Sequence, residues 1–129
     1  NFFKTLQTLN KNNIKVFIVS HKTKYPYLGE KVNLHKSAMK WMVKNEFFNE
    51  EGLNFSEKNI FFELTKEKKV QRLLSLKCEY FIDDLEDILK MIPKSVTKVL
   101  FNPKEKNISL KTDNHVLNDW NLLPSILSL

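Results

Sequence analysis

The chain has 129 residues, enough for one folded domain with a hydrophobic core, and we predict a single domain over residues 1–129. Hydrophobic residues make up 42% of the sequence and ten phenylalanines are spread along it, which excludes an intrinsically disordered protein. The formal net charge is +6, but the lysines occur in every segment and Arg72 is the only arginine. This distribution argues against a nucleic-acid-binding surface.

Composition also limits the location and the kinds of site. No apolar run approaches the roughly 18 residues that a membrane span needs, and no leader pattern is present, so we expect a cytoplasmic protein without a membrane partner. With glycine only at Gly29 and Gly52, no glycine-rich phosphate loop can be drawn. Cys78 cannot form an internal disulfide and is expected to be a buried structural thiol. His35 and His115 are expected at a helix start and in a loop, and no histidine and cysteine cluster indicates zinc.

The first third of the chain predicts a helix, a strand and a loop. Residues 1–12 place apolar side chains at helical spacing and predict a short amphipathic helix. Residues 15–20 read KVFIVS, which is typical of a buried parallel strand ending at Ser20. The segment 21–33 contains a proline and a glycine and has no period, so it predicts a loop whose two tyrosines shape a pocket rim.

The middle of the chain predicts a second helix, a second strand and a third helix. The pattern from Leu34 indicates a helix ending near Phe47, before the break at Gly52. Residues 59–64 predict a strand, after which Thr65 can cap a helix. We expect the apolar residues of that helix to share one side: Val70, Leu73, Leu74 and Leu76.

The last part of the chain predicts two more strands. Residues 79–84 read EYFIDD, an apolar strand ending in two carboxylates, and the helix that follows is stopped by Pro93. Residues 97–101 predict a fourth strand, and a final helix is expected at about residues 116–129, kinked or restarted at Pro124. Strands that alternate with helices predict an α/β fold with a mostly parallel sheet.

In a parallel sheet of this kind, ligands bind outside the carboxyl ends of the strands, where Ser20, Glu63 and the Asp83-Asp84 pair are expected. Two adjacent carboxylates at the end of an apolar strand resist burial unless a positive charge compensates them. Hard oxygen ligands suit magnesium. The alternative is that Asp84 caps the following helix and Asp83 is merely solvated.

The order of these features is similar to a known family. IVS ending at Ser20, the lysine-rich helix start after Thr65 and FIDD ending at Asp84 resemble motifs two, three and four of the haloacid dehalogenase-like (HAD) hydrolases. The resemblance covers about residues 15–101 and implies a three-layer, Rossmann-like fold with magnesium-dependent phosphohydrolase activity on a small phosphorylated substrate. Receiver domains of two-component signalling use similar residues, but with the acidic pair first and the lysine last.

The resemblance implies a role for each matching residue. Ser20 would hydrogen-bond the transferring phosphoryl group, and His21, directly after it, would touch the substrate. The motif-three lysine, which neutralises the phosphate and the nucleophile, lies about fourteen residues before the acidic pair, which selects Lys69, with Lys66 as the fallback.

The acidic motif and the C-terminal tail complete the comparison. Asp84 together with Asp83 would bind Mg²⁺, and Asp87 could substitute in the variant of the motif with wider spacing. The stretch NDWNLLPSIL is similar to the tryptophan-containing tail helix that often closes HAD domains.

One element of the family is missing from the sequence. The HAD reaction needs a DxD motif at the end of a central first strand, where one aspartate attacks phosphorus and the other protonates the leaving group. Without that strand the sheet would have two unpaired inner edges between the strands ending at Ser20 and Asp83. We expect roughly ten to twenty residues before Asn1, an apolar strand ending in aspartates, in the full protein. The alternative is a non-catalytic HAD-like module, with the gap closed, that binds a ligand or a partner.

Overall fold

The computed structural model describes residues 1–21, 33–108 and 114–129. The fold is mixed α/β with short parallel sheets, as the sequence predicted. Most of the predicted tyrosine-containing loop lies outside the described residues. No helix in the described part of the chain is both long and apolar enough to cross a membrane. The helices and strands are α1 (Phe2–Lys11), β1 (Ile18–His21), α2 (Leu34–Lys44), β2 (Ile60–Glu63), α3 (Lys66–Ser75), β3 (Tyr80–Asp83), α4 (Glu86–Lys90), β4 (Thr97–Phe101), β5 (His115–Leu117) and α5 (Leu123–Ile126).

The strands form two separate parallel sheets. β1 pairs with β2, with Ile18 opposite Ile60 and Ser20 opposite Phe62. In the other sheet β4 lies between β3 and β5, and all neighbours are parallel. No hydrogen-bonded ladder joins the two sheets within the described residues. One side of β1 and one side of β3 therefore pair with no described strand.

The hydrophobic core nevertheless includes both sheets. Its larger cluster combines buried side chains of α1, α2, β4, β5 and α5 with partly buried residues of β1, β2 and β3. A second cluster joins α3, β3, α4 and β4, and contains Leu73, Ile88 and Leu89, which are at most 2% exposed. Neighbouring residues of β4 enter different clusters, Val99 the first and Leu100 the second. Burial on both faces of β4 is typical of a parallel strand covered on both sides.

Helix α3 connects the two sheets. It begins at the predicted cap, since the Thr65 side chain accepts a hydrogen bond from the backbone N–H of Lys68 at 3.1 Å. It packs against β1 and β2, and Lys69 extends from it to the end of β3. The prediction for its apolar side was right for Val70, which is buried, and wrong for Leu74, which is 43% exposed.

Two element ends differ from the sequence prediction. β1 begins at Ile18 rather than residue 15, because its register with β2 starts there, and it continues through His21. α2 ends at Lys44 rather than near Phe47. The Asn45 side chain donates a hydrogen bond to the carbonyl oxygen of Trp41 at 2.8 Å, and the next residue takes a φ of 62°, which ends the helix.

The predicted C-terminal helix is wrong in its first half. The chain there forms β5, which completes the second sheet by pairing with β4, and His115 lies in this strand rather than in a loop. A 3₁₀ turn follows, capped by Asp119, whose side chain accepts from the N–H of Asn121 at 2.9 Å. Only Leu123–Ile126 is α-helical, with Pro124 in its first turn, where proline is tolerated.

Candidate functional site

A buried ion pair lies at the carboxyl end of β3. The Nζ of Lys69 donates a hydrogen bond to Oδ2 of Asp83 at 2.6 Å. The two side chains are only 11% and 5% exposed. The same ammonium lies 5.7 Å from the centre of the Phe81 ring, a favourable cation–π arrangement. Each of these two buried charges stabilises the other, because either one alone would be an uncompensated charge removed from water.

The second carboxylate oxygen of Asp83 is also hydrogen-bonded. Oδ1 accepts from the backbone N–H of Leu85 at 2.9 Å, at the start of α4. The alternative interpretation of the acidic pair is therefore wrong in both parts. Asp83 is buried rather than solvated, and Asp84, which is exposed, does not cap the helix.

The structure does not assemble a complete metal site. Within the described part of the chain, no group of three or more histidine, cysteine, aspartate or glutamate residues is placed to hold an ion. Asp84 and Asp87 are exposed, while Asp83 is neutralised by Lys69. Since Mg²⁺ is commonly bound by one or two carboxylates and several waters, Asp84 fits one ligand position. The residues present fit a magnesium ion only in part.

Ser20 and His21 end β1 but do not meet the ion pair. Ser20 is half-buried and lies opposite Phe62 in the strand pairing, and its side chain hydrogen-bonds no described residue. Because strand side chains alternate, Ser20 shares its face of the sheet with Ile18. His21 is exposed. Ser20 therefore lies at the carboxyl end of the first sheet. Helix α3, which carries Lys69, packs against this sheet.

The two candidate lysines have different environments. Lys66 is the first residue of α3 and is partly exposed, whereas Lys69, one turn later, is buried against Asp83. The sequence could have indicated the burial of Lys69, because Lys69 is four residues before the core residue Leu73 and residues four apart share a helix face. The lysine that the family resemblance selected is thus the buried one, and its fallback is the more exposed one.

Sequence reasoning missed a second ion pair. Arg72 of α3 donates from Nε to Oε1 of Glu63 at 2.8 Å, and its guanidinium lies 4.6 Å from the centre of the Phe61 ring. Glu63, predicted only as a strand-end candidate, is thereby held against α3. The Arg72 side chain is 42% exposed, so this ion pair joins α3 to β2 at the protein surface.

Two surface clefts lie away from these residues. One, of about 760 Å³, runs along α2 and is bounded by Phe62. The other, of about 510 Å³, lies at the amino ends of β3 and β4, beside Cys78. Ligands of parallel sheets bind at the opposite, carboxyl ends. Neither cleft is lined by the ion pair, so the buried charges rather than the clefts identify the candidate site.

Cys78 was predicted to be a buried structural thiol, and it is only partly buried. The residue is partly buried beside the second hydrophobic cluster, and this burial raises the pKa of its thiol. At neutral pH the thiol is therefore protonated and a poor nucleophile.

Comparisons with known proteins do not add to this description. No family model, no curated protein and no solved structure matches the chain.

Proposed function

We propose that the chain is the core of a HAD-like, magnesium-dependent phosphohydrolase that acts on a small phosphorylated substrate. The observation that carries the proposal is the buried Lys69–Asp83 pair at the carboxyl end of a parallel strand. A buried ion pair is a poor way to stabilise a fold, because apolar residues of similar size usually do as well. Its presence at a strand end, where ligands bind in such folds, supports a role in binding.

The charge of Lys69 suits a phosphate group. An ammonium has three N–H donors, and the described residues accept one of them, through Asp83. Asp83 holds the ammonium in place, and its second oxygen is held in turn by the backbone of Leu85. A phosphoryl oxygen at the strand end would take a remaining donor. Ser20 would donate to a second phosphoryl oxygen, as the family resemblance implies.

The two separate sheets support the same proposal. One further strand between the open sides of β1 and β3 would join the five strands into one sheet of three-layer, HAD-like type. In the reaction a phosphate monoester and water give an alcohol and inorganic phosphate, by way of an aspartate that this added strand would carry. Mg²⁺ bound through Asp84 would offset the negative charge of the phosphate. Lys69 would neutralise both the phosphate and the attacking aspartate.

The expected substrate is small. Only about a dozen residues separate Ser20 from α2, too few for a large cap domain of the kind that encloses bulky substrates in α/β enzymes. Specificity in such folds depends on loops rather than on the core, so the proposal stops at the class of phosphate monoesters.

A second candidate is a non-catalytic HAD-like module that binds a ligand or a partner. Both oxygens of Asp83 are already hydrogen-bonded, and the described residues form no three-ligand metal group, which favours this candidate. Such a module would bind phosphate at the same residues as the proposed enzyme, but it would not hydrolyse a phosphate monoester.

Titration with inorganic phosphate tests the shared site. We expect phosphate to shift the backbone amide resonances of Leu85 and its neighbours, since the anion binds beside the carboxylate that Leu85 contacts. Lys69→Met should abolish these shifts, and the matched control Lys66→Met should retain them. Retention of the shifts in a folded Lys69→Met protein would contradict the proposal.

A further inference from the structure

Helix α2 carries a charged row and an apolar stripe side by side, and the stripe extends from Met39 at the edge of the core to the exposed Val43. Lys36, Lys40 and Lys44 follow one another at intervals of four residues and are all exposed. Met39 and Val43 form the adjacent stripe, also four residues apart, and Val43 is 59% exposed. Residues four apart lie on the same side of a helix, so the lysines form a row of two turns and the apolar stripe runs beside it for one turn.

The cleft of about 760 Å³ lies beside this surface. Met39, Val43 and the three lysines line it from α2, and Phe62 of β2 lines it opposite. The ring of His35 stacks on Phe62, with 5.1 Å between ring centres and 22° between planes. The cleft therefore has apolar and aromatic walls next to one cationic edge.

The cationic edge is not neutralised by described parts of the chain. Neither of the ion pairs Lys69–Asp83 and Arg72–Glu63 of the described residues involves the three α2 lysines. Glu57 is the one acidic residue among those lining the cleft. An occupant with negative charge along one side would complement this edge, and apolar groups on the other side would cover the stripe.

From this arrangement we propose that the cleft binds an acidic amphipathic helix of a partner protein. Lys36 and Lys44 are about 12 Å apart along α2, with Lys40 midway, at a rise of about 1.5 Å per residue. Carboxylates one turn apart on a partner helix have the same interval of about 6 Å. A small anion would reach one or two of the lysines and leave the apolar stripe uncovered. Helices with such a face bind in grooves by setting their apolar residues into the floor.

A designed peptide tests this inference independently of any phosphatase activity. The probe is a fluorescein-labelled, end-capped peptide of about 12 residues with leucines on one helical face and glutamates flanking them. Fluorescence anisotropy should show saturable binding. Lys40→Glu and Val43→Asp, both at exposed positions, should each weaken it about threefold to tenfold. Lys104→Glu, an exposed lysine outside the cleft, is the matched charge control and should leave the affinity unchanged.

A charge exchange makes the test specific. The same peptide with lysines in place of its glutamates should bind the Lys40→Glu protein more tightly than the unmodified chain. Absence of saturable binding would overturn the proposal, and so would an equal loss in Lys104→Glu, since that indicates unspecific charge attraction. Tighter binding to vesicles of phosphatidylcholine and phosphatidylserine than to the peptide, lost in Lys40→Glu, would assign the surface to a membrane instead.

Discussion

Removing one partner of the Lys69–Asp83 pair should cost far more stability than removing one partner of the surface pair. Lys69→Met leaves the Asp83 carboxylate 5% exposed with a single remaining hydrogen bond, from Leu85. Breaking a buried pair in this way costs about 3–5 kcal/mol, because an uncompensated charge remains inside. Asp83→Asn keeps an oxygen for the Leu85 N–H but leaves the ammonium unpaired, and should cost a similar amount.

The double variant Lys69→Met/Asp83→Asn contains no buried charge. It should therefore be more stable than the sum of the single losses predicts, by about 3 kcal/mol. The matched control is Arg72→Met with Glu63→Gln, a pair whose side chains are 42% and 14% exposed. For that partly solvated pair the coupling energy should be about 0.2–1 kcal/mol.

Urea unfolding followed by circular dichroism gives the free energies of unfolding of the unmodified protein, the four single variants and the two double variants that the two cycles need. A single cooperative transition is expected for a domain of this size. A coupling energy for Lys69–Asp83 no larger than that of Arg72–Glu63 would refute the reasoning, because the charges would then be screened by water. The double variant also separates folding from binding, since it should be folded and yet fail to bind phosphate.

Three further predictions concern local features. Gly52→Ala should destabilise the protein by about 1–3 kcal/mol, because its Cβ would meet the backbone carbonyl of Glu46; an unchanged urea midpoint would contradict this. Thr65→Ala should cost about 1 kcal/mol through loss of the α3 cap, whereas Thr65→Ser should not. Burial raises the pKa of Cys78, so its alkylation by iodoacetamide should be slower than in the urea-unfolded chain, and its contribution to stability should fall as pH rises above the ordinary thiol pKa of 9.0.

The sequence predicted the elements that have a strong hydrophobic pattern. β4 has its predicted bounds at residues 97–101, and α1 and α3 lie where helical spacing placed them. The three-residue strand β5 was missed, because a strand that short has too few residues to show a period. Its assignment depends on pairing with β4, which is a tertiary contact that local patterns do not contain.

Both residues of the buried ion pair were among the site residues that the sequence singled out, but their contact with each other was not predicted. Polar residues at apolar strand ends indicated Ser20 and Asp83, and family resemblance selected Lys69. The packing of α3 against β3 determines which carboxylate of the acidic pair is buried. Asp83 is buried against Lys69, and Asp84 is exposed. The Arg72 contact to Glu63 was missed because it depends on how α3 packs against β2.

Hydrolysis of an aryl phosphate in the presence of Mg²⁺ tests the central claim most directly. The 129-residue chain should show no turnover, because its sequence contains no DxD motif to supply the attacking aspartate. A chain extended at its N-terminus by an apolar strand that ends in a DxD motif should hydrolyse the ester. In this extended protein Asp84→Asn should remove most of the activity, whereas His115→Gln, in the edge strand β5, should not. Turnover by the 129-residue chain that depends on Lys69, or full activity of the extended Asp84→Asn protein, would contradict the account.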